Sequence, residues 1–591
     1  WAPWSPVEGL RSPMADAAVL PLASWNGMAS GMSTSSCCPC LGGLRPGSKD
    51  SLRSTGVAAV VRRRMQEKTP RKSCQVDLAS LIISADPNRS IFKSYRIVEQ
   101  IGSGAFGSVY LGTRLSTGEE RAIKQIQKTD VQEDMRYVYT ELEAAIQLDH
   151  PNVVRCYEFF EDQKMLYLVT ELCSGGDFGE LNHSITDPDE IRTLIRDLVM
   201  AVAYCHDHGV AHRDLKFENC LIQKYPQSRR VAKVIDFGLS AIRKPGDKVG
   251  SWLNDQLGTR YFVAPEVIDT KRAYGVKCDC WSIGVMIYIV LTDEHPCSSQ
   301  AHNLDTTQLF RKILYGTIRV APMESADLDP EARDLILKLL VKDPALRPDA
   351  REALNHPWLK VPSSSLQGKV PHSWHSKSMM AQVPHTTSSP SPLDKHKVAR
   401  IKTFQSYTRF EKAILTLVAH NTHSKDVEDL RQSFMQLDTS CTGSLSKDEI
   451  RAGMRECGQK FAEADLDDIF NTLDADCSGK VQYTEWLAAT MKPSVLASDK
   501  ALKQVFDFFD QDQTGAVSTQ ELRQVLGDDE AVTAVMEYAD TSRTGWLSLE
   551  EFKVVMMNIA TKIERAGCRS PSAIPEGMRR LSRRFTMRTS P

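Results

Sequence analysis

The sequence predicts an α+β front part, with a small sheet-rich lobe and a larger helical lobe, followed by an all-α rear part of paired helix–loop–helix units. Three features of the chain carry that prediction. From Tyr95 onward, short β-like runs (Tyr95–Gln100, Ser108–Gly112, Arg121–Gln125 and Leu166–Thr170) are separated by turns, several of them glycine-bearing. Beyond Asp187 the pattern becomes mainly helical and ends at His356-Pro357-Trp358. Four twelve-residue loops then begin at Asp438, Asp474, Asp510 and Asp540, each with glycine at position six and glutamate at position twelve.

Length and composition bound the class. A chain of 591 residues has room for several domains. Its 41% hydrophobic and 25% charged residues are ordinary for a soluble globular protein. A formal net charge of −2 gives no global pull toward nucleic acid or membrane, so no nucleic-acid partner is expected. The most apolar stretch, Trp281–Leu291, is shorter than the roughly 20 residues of a bilayer span and reads as a buried core helix. No secretory signal is read, and the 15 cysteines lack the density of a disulfide scaffold. An intracellular, mainly cytoplasmic monomer is expected, with nucleus and membrane left open. The chain opens on Trp1 rather than Met, so N-terminal lipid signals are not legible.

Five segments are expected. Residues 1–90, rich in Ser, Gly, Pro, Ala and Arg, read as a disordered extension. Within it Cys37, Cys38 and Cys40 read as plain thiols, with lipid attachment or half a metal site as alternatives. A two-lobed domain covers 95–359, a linker and junction helix 360–425, the four loops 426–561, and a basic disordered tail 562–591. In the junction, Val398, Ile401, Phe404, Tyr407, Phe410, Ile414 and Leu417 fall on one helical face. Lys395, Lys397, Arg400, Lys402, Arg409 and Lys412 interleave with them. Such a basic amphipathic helix is either the target of the sensor behind it, held in cis, or a plain packing helix.

The loops have the chemistry of calcium sites. Calcium takes about six to eight hard oxygens. Gly443, Gly479, Gly515 and Gly545 permit the sharp turn at position six. The expected ligands of the first loop are Asp438, Ser440, Thr442, Ser444 and Glu449, and of the second Asp474, Asp476, Ser478, Lys480 and Glu485. Those of the third are Asp510, Asp512, Thr514, Ala516 and Glu521, and of the fourth Asp540, Ser542, Thr544, Trp546 and Glu551. Ser444, Lys480, Ala516 and Trp546 stand at position seven, which gives a backbone carbonyl. Position eight is apolar throughout (Leu445, Val481, Val517, Leu547), as suits a short strand pairing two loops. Starts spaced 36, 36 and 30 residues apart suggest two lobes of two EF-hands, with trimmed helices in the last pair. Loops two and three carry three carboxylates each against two in the others, so tighter binding is expected there.

Upstream, Gly102-Ser-Gly104-Ala-Phe-Gly107-Ser-Val109 is a glycine-rich turn followed by a strand, which favours phosphate approach over a dinucleotide fold. Ala122-Ile123-Lys124 places a lysine on the next strand, with Glu141 as its candidate partner on the following helix. With these residues the chain resembles a eukaryotic protein kinase. His212-Arg213-Asp214-Leu215-Lys216-Phe217-Glu218-Asn219, Asp236-Phe237-Gly238, Ala264-Pro265-Glu266 and Arg347 follow in the order of that family. The resemblance implies Asp214 as catalytic base, Lys216 on the transferring phosphoryl group, Lys124 and Glu141 as a charge pair, and Asn219 and Asp236 on magnesium. It implies an ATP site of Gly102, Gly104, Gly107, Val109, Ala122, Lys124, Glu171, Cys173 and Asp177, with Thr170 as gatekeeper. Glu266 resembles the ion-pair partner of Arg347.

Phe217, in place of the usual proline, and Arg121, in place of an apolar residue, depart from the pattern. Lys216 two residues after Asp214 is the serine/threonine arrangement. Asp177 and Glu218 match positions that favour arginine near the target hydroxyl, or are solvated surface acids. Ser251 and Thr259 lie in the activation segment and offer hydroxyls for phosphorylation. Arg579-Arg580-Leu581-Ser582 and Arg583-Arg584-Phe585-Thr586 have the form of autophosphorylation sites; a basic tail for acidic lipid or protein surfaces is the alternative.

Kinase, basic junction and four EF-hands in this order resemble the calcium-dependent protein kinases of plants and apicomplexan parasites. That resemblance implies a bilobal protein-kinase fold followed by an all-α calmodulin-like domain, with ATP, Mg2+ and Ca2+ as cofactors. It implies arginine-bearing protein substrates, and a junction that holds the kinase inactive until calcium binds. A peripheral membrane association through the N-terminus or tail stays open. The second reading is a calcium-sensing scaffold with a catalytically inactive kinase fold.

Overall fold

The computed structural model describes residues 56–68, 82–83, 90–360 and 393–567, apart from short gaps at 105–106, 132–134, 180–184, 186, 226–228, 249, 270, 272, 423, 458–462, 476 and 528. Cys37, Cys38, Cys40, Asp476, Ser582 and Thr586 lie outside the described residues. The chain forms two compact units. One is chiefly 173–224 with 229–359; the other joins 52–172 to the chain beyond 360. No helix among the described residues is long and apolar enough to cross a membrane.

The second unit opens with helix α1 (Val57–Lys68) and holds a five-stranded antiparallel sheet in the order β1-β2-β3-β5-β4. Its strands are β1 (Tyr95–Gly104), β2 (Gly107–Arg114), β3 (Glu120–Gln127), β4 (Cys156–Glu161) and β5 (Met165–Thr170), with helix α2 (Met135–Gln147) before β4. In register, Lys124 pairs with Val109 on one side and Leu168 on the other. The extension expected to lack structure through residue 90 therefore contains a helix. Val57 and Val61, one turn apart, are buried in one core with Val138, Leu142 and Ile146 of α2. Tertiary packing, which composition does not reveal, supplies the stability of so short a helix.

The helical unit is built on α3 (Pro188–Asp207), capped by Asp187, which accepts from the Asp189 amide, with proline in its first turn. Two small hairpin-like pairs follow, β6 (Val210–Ala211) with β9 (Ala241–Ile242) and β7 (Cys220–Gln223) with β8 (Val231–Val234). Helix α4 (Lys277–Thr292) is buried along nearly its whole length, as its apolar run predicts, and packs against α5 (Pro330–Leu339).

In the rear of the second unit the junction is two helices, not one. α6 (Lys395–Phe404) stops, and α7 (Arg409–Asn421) starts afresh at a capping box in which Thr408 and Glu411 satisfy each other's backbone amides. All seven apolar junction residues are nonetheless buried in one core with the EF-hand helices. Those helices are α8 (Glu428–Leu437), α9 (Lys447–Glu456), α10 (Glu463–Leu473), α11 (Tyr483–Thr490), α12 (Asp499–Phe509), α13 (Thr519–Leu526), α14 (Asp529–Ala539) and α15 (Leu549–Gly567). The last runs beyond the expected boundary at 561. Strands β10 (Ala516–Ser518) and β11 (Trp546–Ser548) pair loops three and four, and a single Leu445–Val481 bridge pairs loops one and two. The short final spacing costs α13 two residues against α9 (eight against ten) and shrinks the connection from 457–462 to 527–528. Gly527 ends α13 in the left-handed conformation.

Candidate functional site

In the sheet-bearing unit, β1 and β2 close the glycine-rich turn with Gly102 opposite Val109 and Gly104 opposite Gly107. Gly107 is required by packing as well as by its turn: a Cβ there would lie 1.9 Å from the Gln125 carbonyl oxygen of β3. Ala122 sits opposite Thr170 in the sheet, and the Glu171 amide donates to Arg155 O. Lys124 Nζ meets Glu141 Oε1 of α2 at 2.6 Å, and both side chains are buried. A buried pair of this kind holds the ammonium at a fixed place.

In the helical unit the His212–Asn219 loop is wired to α4. The buried Asp279 carboxylate accepts from the His212 amide at 2.9 Å, the Arg213 amide at 2.8 Å and His206 Nε2 at 2.8 Å. Burial alone would raise its carboxyl, but the His206 contact and the amide donors hold it below the usual range. Arg213 adopts a left-handed backbone and donates to Leu239 O, Ser240 O and, at 3.3 Å, Asp255. Asp214 is thereby turned into a nest of donors: Thr259 Oγ1 at 2.7 Å, Asn219 Nδ2 at 3.2 Å and Lys216 Nζ at 3.1 Å. Asn219 Nδ2 also reaches Asp214 O at 2.8 Å, so the amide presents its oxygen for a hard cation. Asp236 is left-handed at φ 59 and accepts from the Gly238 amide.

Phe217 leaves the loop intact. It is buried edge-on against Phe262, with ring centroids 5.3 Å apart, and the Asn219 contacts form around it. Asp177, whose side chain accepts from the Gly179 amide, and Glu218 are close enough to repel each other. Partial burial and then the neighbouring charges of Asp177 and Asp214 raise the Glu218 carboxyl. Cys173 is of intermediate exposure. Arg347, wholly buried, grips Glu266 through both ends of its guanidinium, at 2.5 and 2.9 Å.

The sequence offered no sign of four of these contacts. Thr259 and Asp255 sit in a segment read only for its hydroxyls, and Asp279 and His206 only for helix. Thr259 is buried on Asp214, whereas Ser251 is exposed.

All four loops share one geometry. The position-one carboxylates accept from the amides of positions five and six: Asp438 from Thr442 and Gly443, Asp474 from Ser478 and Gly479, Asp510 from Thr514 and Gly515, Asp540 from Thr544 and Gly545. The position-twelve glutamates Glu449, Glu485, Glu521 and Glu551 fold back on early loop amides. Burial opposes ionisation of Glu551, but the Ser548 and Ser542 donors outweigh it and bring the carboxyl to about 2. Position-five hydroxyls mark the carbonyls of Ser444, Lys480, Ala516 and Trp546. Cys441, Cys477, Gln513 and Arg543 at position four are left-handed, a demand the sequence does not advertise. Carboxylate oxygens of Asp510, Asp512 and Glu521 all lie within 4.8 Å of one another, a donor set that fits calcium.

The calcium-loop region is docked on the sheet. Arg121 of β3, 1% exposed, stacks on Tyr157 at 3.9 Å, pairs with Glu119 at 2.7 Å and donates to Asn421 O of α7 at 3.1 Å. Gln504 and Lys500 of α12 also reach Glu119. Arg155 donates to Ala419 O at 2.9 Å, and Asp149 accepts from the Thr484 amide at 2.6 Å and its hydroxyl at 3.0 Å.

Residues 95–359 match the protein kinase domain family, and 427–491 and 499–557 match the EF-hand domain pair. The class is thus a protein kinase carrying two EF-hand pairs. The chain is 30% identical over 435 residues to calcium-dependent protein kinase 2 of Oryza sativa subsp. japonica, covering 73% of this chain and 78% of that one. It is 32% identical to calcium-dependent protein kinase 17 of Arabidopsis thaliana over 385 residues, 64% of this chain and 66% of that one. Calcium-dependent protein kinase 11 of Arabidopsis thaliana is 32% identical over 377 residues, 63% and 69% of the two chains. The chain spans about two thirds of the length of the first Arabidopsis relative. It belongs to the calcium-dependent protein kinases, which are serine/threonine kinases.

Proposed function

We propose that this protein transfers the γ-phosphate of ATP to serine or threonine hydroxyls in arginine-bearing protein segments, at a rate set by calcium in its rear loops. The observation that carries this is the set of donors on Asp214. A carboxylate held at both oxygens is oriented to take the proton of an attacking hydroxyl, and Lys216 beside it stands ready for phosphoryl charge. Lys124, fixed by Glu141, serves the phosphates nearer the nucleoside. The backbone of Glu171 and Cys173 serves adenine. Asn219 and Asp236 would hold magnesium, which neutralises phosphate charge when bound. Asp177 and Glu218 supply the negative charge that recruits guanidinium groups.

The intact set of Lys124, Asp214, Asn219 and Asp236 supports an active enzyme over an inactive scaffold. Asp255 on Arg213 supports an activation segment set by a built-in carboxylate rather than by phosphate, and Thr259, engaged with Asp214, serves as a positioning hydroxyl. Enclosure of the junction in the EF-hand core supports a switch in which calcium-loaded hands take up the junction and free the kinase. Loop three, with its converging carboxylates, is the tightest described calcium site in this scheme.

One assay tests the proposal: phosphate transfer to a serine peptide with upstream arginines, with and without calcium, for the parent and Asp214→Asn. Calcium-stimulated transfer by the parent and its loss by ~10³-fold in the variant are expected. Equal rates under strong chelation sink the switch. Absence of transfer by the calcium-loaded parent sinks the enzyme.

A further inference from the structure

The kinase family match begins at residue 95, yet α1 lies earlier in the chain and is built into the sheet-bearing unit. Three contacts fix it. Glu161, at the end of β4, accepts from the Val57 and Ala58 amides at 3.0 Å each and so caps the helix N-terminus. Gly56 lets the chain come this close, since a Cβ there would lie 2.7 Å from Glu161 Oε2. Val57 and Val61, 3% and 0% exposed, enter the core formed by Val138, Leu142 and Ile146 of α2 with Phe159 of β4. Arg64 stacks over Tyr139 at 5.0 Å and pairs with Glu143 at 2.9 Å, both on α2. Arg62 donates to Ile83 O, and Ile83 bridges Phe159, so the 82–83 segment is tied to the same patch.

α2 is also the helix that carries Glu141. Glu143 lies two residues on, about 200° around the helix. α2 is therefore gripped from two directions: Glu141 reaches Lys124, while Glu143 is held by α1.

We propose that α1 is a positioning element of the phosphotransfer site, which braces α2 so that Glu141 stays on Lys124. This rests on the proposed role of that pair. Residues before the kinase match then belong to the catalytic unit, with Arg64, Val61 and Glu161 as positioning residues.

The test uses the full chain at saturating calcium. Arg64→Glu, at a half-exposed position unsuited to unfolding the core, is compared with Glu143→Arg and with the two together. Val61→Asp and Val61→Ile form a second pair, and Glu141→Gln is the reference. Arg64→Glu is expected to lower kcat/KM for ATP ~5-fold, with the melting temperature, calcium midpoint and peptide KM unchanged, and the charge-swapped double variant is expected to regain most of it. Val61→Asp is expected to lower it further and Val61→Ile to retain it. If Glu141→Gln is impaired while Arg64→Glu and Val61→Asp are as active as the parent, the brace is wrong. The brace is equally overturned if activity falls only in step with melting temperature or the double variant fails to recover. If Glu141→Gln itself has full activity, the underlying role of the Lys124–Glu141 pair fails instead, and the brace with it.

Discussion

Strand β3 carries two buried cations three residues apart, Arg121 and Lys124, and they face opposite sides of the sheet because side chains alternate along a strand. On one face Lys124 pairs with Glu141, a partner within the same small sheet-and-helix assembly. On the other, Arg121 is shared between Glu119, the Tyr157 ring and the Asn421 carbonyl, 300 residues downstream. The residue types and burial are alike, but one cation is the one proposed to meet phosphate and the other holds the calcium-loop region against the sheet. The difference teaches that a buried charge takes its role from where its partner sits in the chain. The proposed chemistry and the docking thus share a single short strand.

Substitutions on the two faces should separate these roles. Lys124→Met should cost the most, a ~10²–10³-fold loss in kcat/KM for ATP, since a fixed cation on developing phosphate charge is removed. Calorimetric calcium binding should be retained; a parallel loss would erase the distinction between the faces. Arg121→Met should spare ATP affinity but leave Glu119 buried with one cation fewer. Breaking a buried pair costs about 3 kcal/mol or more. Faster amide exchange at Ala419–Asn421 and a higher calcium midpoint should report it.

The smallest effect concerns His420, buried on Tyr157 at this docked face. Burial first, then the positive charges of Arg155 and Arg121, depress its ring to about 3, against the opposing pull of the Tyr157 backbone and Glu158. The docked form needs the neutral ring. Docking is therefore undiminished above the ordinary histidine range, near 6.5, and weakens as pH falls from there toward 3. At pH 5.5 the loss should be about tenfold if the undocked ring is solvated. His420→Asn should flatten that dependence, and an unchanged pH response in the variant would rule the ring out.

The kinase and EF-hand motifs were legible because their chemistry is local: Asp214, Lys216 and Asn219 lie within six residues, and each calcium loop within twelve. Glu266 with Arg347 was legible only by resemblance. Arg121 was visible as a departure, but its meaning needs Asn421, and no local pattern links the two. Helix α1 was hidden because its apolar run, Val57–Val61, is short and followed directly by Arg62–Arg64, and the partners of Val57 and Val61 lie on another helix. The break in the junction was written in Thr408 and Glu411, a capping box that the continuous apolar period masked.

Asp149 has a quieter role. Its carboxylate, from the loop after α2, covers the first turn of α11, whose Glu485 closes the second loop. Whatever strengthens one side of that contact must strengthen the other by the same factor. A ligand of the sheet-bearing lobe that strengthens this contact should then make the second loop hold calcium more firmly, and calcium in that loop should return the same factor to the ligand.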